Sequence, residues 1–300
     1  MTGMFAGLSA FPLTPLRGDV VDEDACVGLI ERLTVAGVDS ITVLGSTGSS
    51  AYLSAPERAR VARLAVEHAG TTPVFVGVGA LRTSHVLSHV DSAAAAGAAG
   101  VMLAPMSYQP LTPDDVFELY RAVTAHTGLP VIVYDNPATT HFTFTTDLYA
   151  RIAALPGIAS IKIPGVPPDL DTARAHVAKI RSVIPARITI GVSGDPFAAT
   201  GLIAGCETWY SVIGGTLPEP ALTIARAVRD GRDEDALAES ARLAPLWSLF
   251  SEYQGSLRVT AAIAEHLGLA PQRCLPLPIQ GLSEEQRKRV AAVAEQLGLS

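Results

Sequence analysis

The 300-residue sequence predicts an α/β fold, a (β/α)8 TIM barrel with a C-terminal helical extension. Three observations predict it. Seven short β-branched runs, preceded by an apolar run over 5–11 as a candidate first strand, alternate with Ala/Leu/Arg segments of helical periodicity. Successive runs are mostly spaced by about 27–34 residues, the length of one strand plus one crossover helix. No Gly-x-Gly-x-x-Gly turn follows the first run, which disfavours an open dinucleotide-binding sheet.

The strand runs are FAGLSAF (5–11), VDSITVLG (38–45), TPVFVGVG (72–79), AGVMLAPM (99–106), LPVIVYDN (129–136), IASIKIP (158–164), ARITIGVSG (186–194) and ETWYSVIGG (207–215). Helical periodicity fills 22–36, 55–69, 83–97, 112–127 and 169–182. Ser54-Ala-Pro-Glu57 is a capping-box pattern, so it starts a helix and leaves residues 45–53 as the loop after the second strand. The barrel is expected over residues 1–230. Residues 231–300 are helical in pattern, broken at Gly255, Pro271–Pro278 and Gly281, and are expected to pack on the barrel.

Composition narrows the function. With 48% hydrophobic and 17% charged residues the chain reads as a soluble folded protein, and its net charge of −7 with no basic stripe argues against nucleic acid as a partner. No apolar stretch reaches membrane-spanning length, and the N-terminus lacks the basic and apolar regions of a signal peptide. Cys26, Cys206 and Cys274 have no metal-ligand spacing and cannot all pair, which fits a cytoplasmic location.

In a closed parallel barrel, functional residues belong at the C-terminal ends of strands. Gly45-Ser-Thr-Gly48, after the second run, exposes backbone N–H groups beside hydroxyls; it suits a carboxylate or phosphate oxygen, and also an ordinary turn. Tyr134, ending the fifth run, is either a proton relay or a packed aromatic. Asp195 suits a helix cap, and Gly191, Gly194, Gly214 and Gly215 suit a phosphate site. His85 and His89, four apart, lack the acidic company of a metal site.

Lys162 is the most pointed residue. Of the 22 basic residues only Lys162, Lys179 and Lys288 are lysines, and the other 19 are arginines. Arginine keeps its proton in a protein, whereas a desolvated lysine can lose it. Flanked by Ile161 and Ile163, Lys162 is set for desolvation and so for nucleophilic attack on a ketone. A structural lysine paired with Asp195 or Glu207 is the competing role.

Gly-Ser-Thr-Gly (45–48), Tyr134 with Pro137 three residues on, and Ile-Lys162-Ile occur in the order and spacing of the dihydrodipicolinate synthase / N-acetylneuraminate lyase family, which this sequence resembles. The likeness runs from about Pro12 to about Pro218 and takes in LSAPER, VGVGALRTSH, Pro105, Pro110 and SGD (193–195). The resemblance implies a class I, Schiff-base carbon–carbon lyase or aldolase acting on pyruvate, or a pyruvate-derived 2-keto acid, and a small aldehyde. It also implies a homotetramer. On this carry-over Lys162 is the nucleophile, Tyr134 relays protons, and Ser46 passes a proton to Tyr134. Thr47 and Gly48 join Ser46 around the pyruvate carboxylate, and Tyr210 lies beside the substrate. No metal or organic cofactor is implied, because the lysine imine is itself the electron sink.

Three positions depart from the lysine-pathway members. Their Thr-Thr-Gly-Glu is here Ser46-Thr47-Gly48-Ser49. Their inter-subunit tyrosine aligns with Ser107, leaving Tyr108 one residue away as a stand-in. Their arginine for the second substrate's carboxylate aligns with Thr139. Asp135 and Asn136, if turned toward the site, favour a neutral or hydroxylated partner over aspartate semialdehyde.

Overall fold

The computed structural model describes residues 2–299; Met1 and Ser300, the outer ends of the two expected segments, lie outside the described residues. Eight parallel strands close into a barrel in chain order: β1 Gly7–Ala10, β2 Ser40–Val43, β3 Val74–Gly77, β4 Gly100–Leu103, β5 Val131–Tyr134, β6 Ile158–Ile163, β7 Thr189–Val192 and β8 Thr208–Ser211. Ser9 of β1 closes the ring, meeting Ser40 of β2 on one side and Tyr210 of β8 on the other. Each strand lies within one of the eight expected runs, and most of the remainder of each run forms the adjoining turns and loops.

Both faces of the barrel wall are buried, so the strands carry apolar residues with small polar ones, Ser9, Ser40, Thr42, Ser160, Thr189, Thr208 and Ser211, and a single charge at Lys162. Outward residues such as Ile41, Val76, Leu103, Val133, Ile161 and Ile190 share one core with the surrounding helices. Inside, Phe5, Phe11, Phe75, Met102, Ile132, Tyr134 and Tyr210 form a separate cluster. Phe5, from the N-terminal turn Thr2–Phe5, stacks on Phe75 with ring centroids 4.9 Å apart and fills one end of the barrel. The pairing of β5 with β6 contains a bulge: Val131 faces Ile158, but Ile132 faces Ser160, so Ala159 is supernumerary.

The outer layer comprises α1 Glu23–Ala36, α2 Ala55–His68, α3 Thr83–Ala96, α4 Pro113–His126, α5 Thr146–Ala153, α6 Leu170–Arg181, α7 Ala198–Ile203 and α8 Pro218–Arg229. Ser54 and Glu57 form the reciprocal capping box that starts α2. A small antiparallel hairpin, Leu16–Arg17 with Val20–Val21, interrupts the first connection. Four helices follow the barrel: α9 Asp233–Arg242, α10 Ala244–Glu252, α11 Ser256–His266 and α12 Glu284–Gln296. Leu246, Phe250, Val259, Ile263 and Val290 of these helices belong to the same apolar core as the barrel wall. The Leu16 N–H also donates to the Cys274 carbonyl at 2.8 Å, tying the extension to the chain leaving β1. Among the described residues no helix is long and apolar enough to cross a membrane.

Candidate active site

Lys162, Tyr134 and the β2 loop meet in one cavity of about 710 Å³. Beyond the bulge, Lys162 lies level with Tyr134 on β5 and Gly191 on β7. Gly191 is required there, since a Cβ would sit 2.2 Å from the inward-pointing Tyr210 ring. The Lys162 Nζ lies 4.2 Å from the Tyr134 ring centroid and 5.9 Å from that of Phe11, and the residue is only 4% exposed.

The desolvation has a different source from the one the sequence suggested. Ile161 and Ile163 point into the helix-facing core, away from the lysine. The barrel's interior aromatics are its surroundings instead. Burial pushes the Lys162 ammonium well below an ordinary lysine pKa, and the weaker pull of Tyr134, Asp135 and Asp195 does not cancel it. Neither proposed structural partner holds it. Glu207 pairs with Arg181 and accepts from the Ile190 N–H at 2.8 Å. Asp195 is buried and accepts from Trp209 Nε1, Ser211 Oγ and the Val212 and Ile213 N–H groups. It therefore fastens the turn after β8 rather than capping the next helix.

The β2 loop is held by a strained turn. Leu44 adopts a left-handed backbone at φ 58° and Ser49 another at φ 51°. The Ser49 N–H donates to the Ser46 carbonyl at 3.0 Å, which folds Ser46 and Thr47 toward the cavity. Gly48 stands behind them: it is buried, and a Cβ there would lie 3.0 Å from the Leu44 nitrogen. Ser46 Oγ and the Tyr134 hydroxyl share a hydrogen bond of 3.2 Å. Asn136 Nδ2 donates to the same Tyr134 hydroxyl at 3.1 Å. Two neighbours therefore fix a hydroxyl that can both give and accept a proton.

Tyr210 lines the cavity and donates to Ser160 Oγ at 2.7 Å, with its ring edge-on to Phe11. Thr139 also lines it, from the one-turn helix Pro137–Thr140. Tyr108 does not join the cavity lining; it stands 90% exposed beside Ser107, which does. Asp135 is turned away as well: Tyr149 donates its hydroxyl to it in the space behind β5, and burial raises its carboxyl to about 6. Only Asn136 of the Asp135–Asn136 pair reaches the cavity. Of the four candidate phosphate-site glycines, Gly194 alone lines the cavity. Gly215 instead makes room for the Phe11 carbonyl, 2.1 Å from a Cβ position, and the Gly214 N–H donates to Ser211 Oγ. Among the described residues no three His, Cys, Asp or Glu side chains are grouped to hold a metal ion.

Sequence reasoning missed two contributors. Asn136 was read with Asp135 as favouring a neutral or hydroxylated partner if turned toward the site, and not as the donor to Tyr134; the signal was its place two residues along, just past the strand end. The other is the stretch Gln254–Arg258, which brings the start of α11 to the cavity. Strand ends were the places to search, and a C-terminal helix is not one.

Comparison with known proteins agrees with this architecture. Residues 4–297 match the sequence profile of the Dihydrodipicolinate synthetase family. A 4-hydroxy-tetrahydrodipicolinate synthase of Phenylobacterium zucineum is 31% identical over 299 residues, 99% of this chain and 98% of that protein. One from Hyphomonas neptunium is 34% identical over 242 residues, 80% of this chain and 81% of its own. The crystal structure of a dihydrodipicolinate synthase from Agrobacterium tumefaciens superposes with a TM-score of 0.94 at 41% identity and covers 99% of each chain. The likeness thus spans all eight barrel strands and the C-terminal helices, and this chain belongs to the dihydrodipicolinate synthetase family.

Proposed function

We propose that the protein is a class I, Schiff-base-forming aldolase or lyase that makes or breaks a carbon–carbon bond between pyruvate and an aldehyde. The observation that carries this reading is Lys162, a buried lysine with no carboxylate paired to it, opening into the same cavity as Tyr134 and Ser46. Its neutral amine attacks the ketone carbon of pyruvate, and loss of water leaves an iminium. The positive nitrogen acidifies the adjacent methyl, which gives up a proton and becomes an enamine nucleophile toward the aldehyde. Tyr134, held by Ser46 and Asn136, moves the protons of carbinolamine formation and dehydration. Ser46 and Thr47 receive the pyruvate carboxylate, with Gly48 keeping the turn tight enough to present them, and Tyr210 walls the substrate's side of the barrel. Cleavage runs the same steps backward.

Borohydride reduction in the presence of pyruvate is expected to fix a pyruvate-derived adduct on Lys162, read by peptide mass spectrometry. No adduct, or an adduct on Lys179 or Lys288, overturns the reading. A second reading, condensation of pyruvate with aspartate semialdehyde, is favoured by the name carried by the relatives from Phenylobacterium and Hyphomonas. Turnover with that aldehyde far above its rate with other aldehydes would select it. A non-catalytic ligand-binding barrel is the reading from another class; its signature is pyruvate binding that survives Lys162→Ala. Cytoplasmic location and a homotetramer complete the proposal, the first supported by three buried, unpaired cysteines. Sedimentation velocity reads the second.

A further inference from the structure

The chain carries more acids than bases, 29 against 22, yet the cavity lining reverses that balance. Among the described residues its only charged side chains are Lys162 and Arg258, and no carboxylate lines it. Lys162 is consumed by the imine in the reading above. Arg258 remains, a cation with no assigned work.

Its position is not explained by the helix that bears it. Arg258 stands in the first turn of α11, where the helix dipole disfavours positive charge. Arg60, Arg121, Arg232 and Arg242 all hold carboxylates, but among the described residues no carboxylate pairs with Arg258. Among the described residues its one hydrogen bond runs from Nε to the Gln280 carbonyl at 2.8 Å. That bond steers the guanidinium plane and leaves both terminal nitrogens free, a fork that fits two oxygens of one anion. Thr139 lines the same cavity without charge, at the position where the resemblance expects an arginine.

We propose that Arg258 is the specificity-determining residue for the aldehyde partner, receiving a carboxylate or phosphate at the end of that substrate remote from the new carbon–carbon bond. This rests on the pyruvate–imine reading and names the class of the second substrate: an anionic aldehyde. It replaces the earlier expectation of a neutral or hydroxylated partner, because Asp135 does not reach the cavity and Arg258 does.

The test compares wild type, Arg258→Met and Arg258→Lys in pyruvate condensation with four aldehydes. Succinic semialdehyde carries a carboxylate and glyceraldehyde 3-phosphate a phosphate; butanal and glyceraldehyde are their uncharged counterparts. Wild type is expected to favour one anionic aldehyde over its counterpart. Arg258→Met is expected to lose about 10- to 100-fold in kcat/KM on that aldehyde, chiefly through KM, with a smaller loss for Arg258→Lys. Whichever anion suffers the loss identifies the group recognised. Borohydride trapping of pyruvate on each variant reports folding and imine formation independently; should Arg258→Met fail to trap, Arg258→Lys carries the comparison. Normal trapping with no anionic preference in wild type, or with equal losses on charged and uncharged aldehydes, overturns the Arg258 assignment alone. A wild-type protein that traps no pyruvate overturns the imine reading and this inference together.

Discussion

Reactivity at Lys162 comes from its surroundings, since desolvation by the barrel interior outweighs the three weaker attractions that favour its ammonium form. Asp135 is one of those attractions, and it is itself a buried acid raised to about 6 with Oδ1 unpartnered. Between about pH 4 and 6 the folded protein therefore binds a proton that the unfolded chain has released, so this group makes stability fall as pH rises. Asp135→Asn keeps an acceptor for Tyr149 and is expected to remove that slope, on the order of 3 kcal/mol at most, in urea unfolding across this range. The same change withdraws a negative neighbour from Lys162. Imine formation in the variant is expected to extend to lower pH, read by stopped-flow trapping. Tyr134→Phe keeps the ring beside Lys162 but deletes the hydroxyl held by Ser46 and Asn136. Steady-state kinetics are expected to show kcat reduced by about 10²- to 10⁴-fold with the KM for pyruvate little changed. A variant with wild-type kcat would exclude the proton relay.

At the scale of elements, the site depends on the backbone ends of β2 and β3. Leu44 keeps its left-handed backbone partly because its carbonyl fits against Gly77, where a Cβ would lie 1.9 Å from the oxygen. Gly77→Ala forces backbone apart, and is expected to cost about 1–3 kcal/mol in denaturant unfolding and to weaken pyruvate trapping by displacing Ser46 and Thr47. The eight strands were legible because a wall buried on both faces takes short runs that are mostly apolar or small and almost free of charge. The capping box at Ser54 and Glu57 was legible because it is local. Lys162, Tyr134, Ser46 and Thr47 were legible by their strand-end positions. What a single strand does not reveal is what covers each of its faces: Ile161 and Ile163 share the face opposite Lys162, and the aromatics that bury the lysine come from other parts of the chain. Asp135 lies past the end of β5, where strand alternation no longer fixes the direction of a side chain. Arg258 was hidden because helix α11 reaches the cavity through tertiary packing alone.

For the whole molecule, the C-terminal helices share the barrel's core and supply part of the cavity wall. We propose that residues 231–300 are an extension on a barrel of residues 1–230, cooperative with it in folding. A chain ending at residue 230 is then expected to bind the dye ANS and to unfold without a sharp transition, because Val259, Ile263 and Val290 no longer cover the wall. A cooperative, dye-free truncation would show the barrel to be self-sufficient. Ring closure gives the bulge at Ala159 a further meaning. In an open sheet a one-residue slip can run out at an edge; a closed ring has no edge to absorb it. Ala159 stands outside the ladder, so deleting it leaves Ile158 and Ser160 facing Val131 and Ile132 in regular alternation, with Lys162 still level with Tyr134. Deleting a paired residue such as Ile161 has no such outlet: either the seam to β5 parts, or Lys162 turns into the oily layer beneath the helices. Catalytic identity in this barrel is thus a matter of parity, and the bulge marks a place where the count is free.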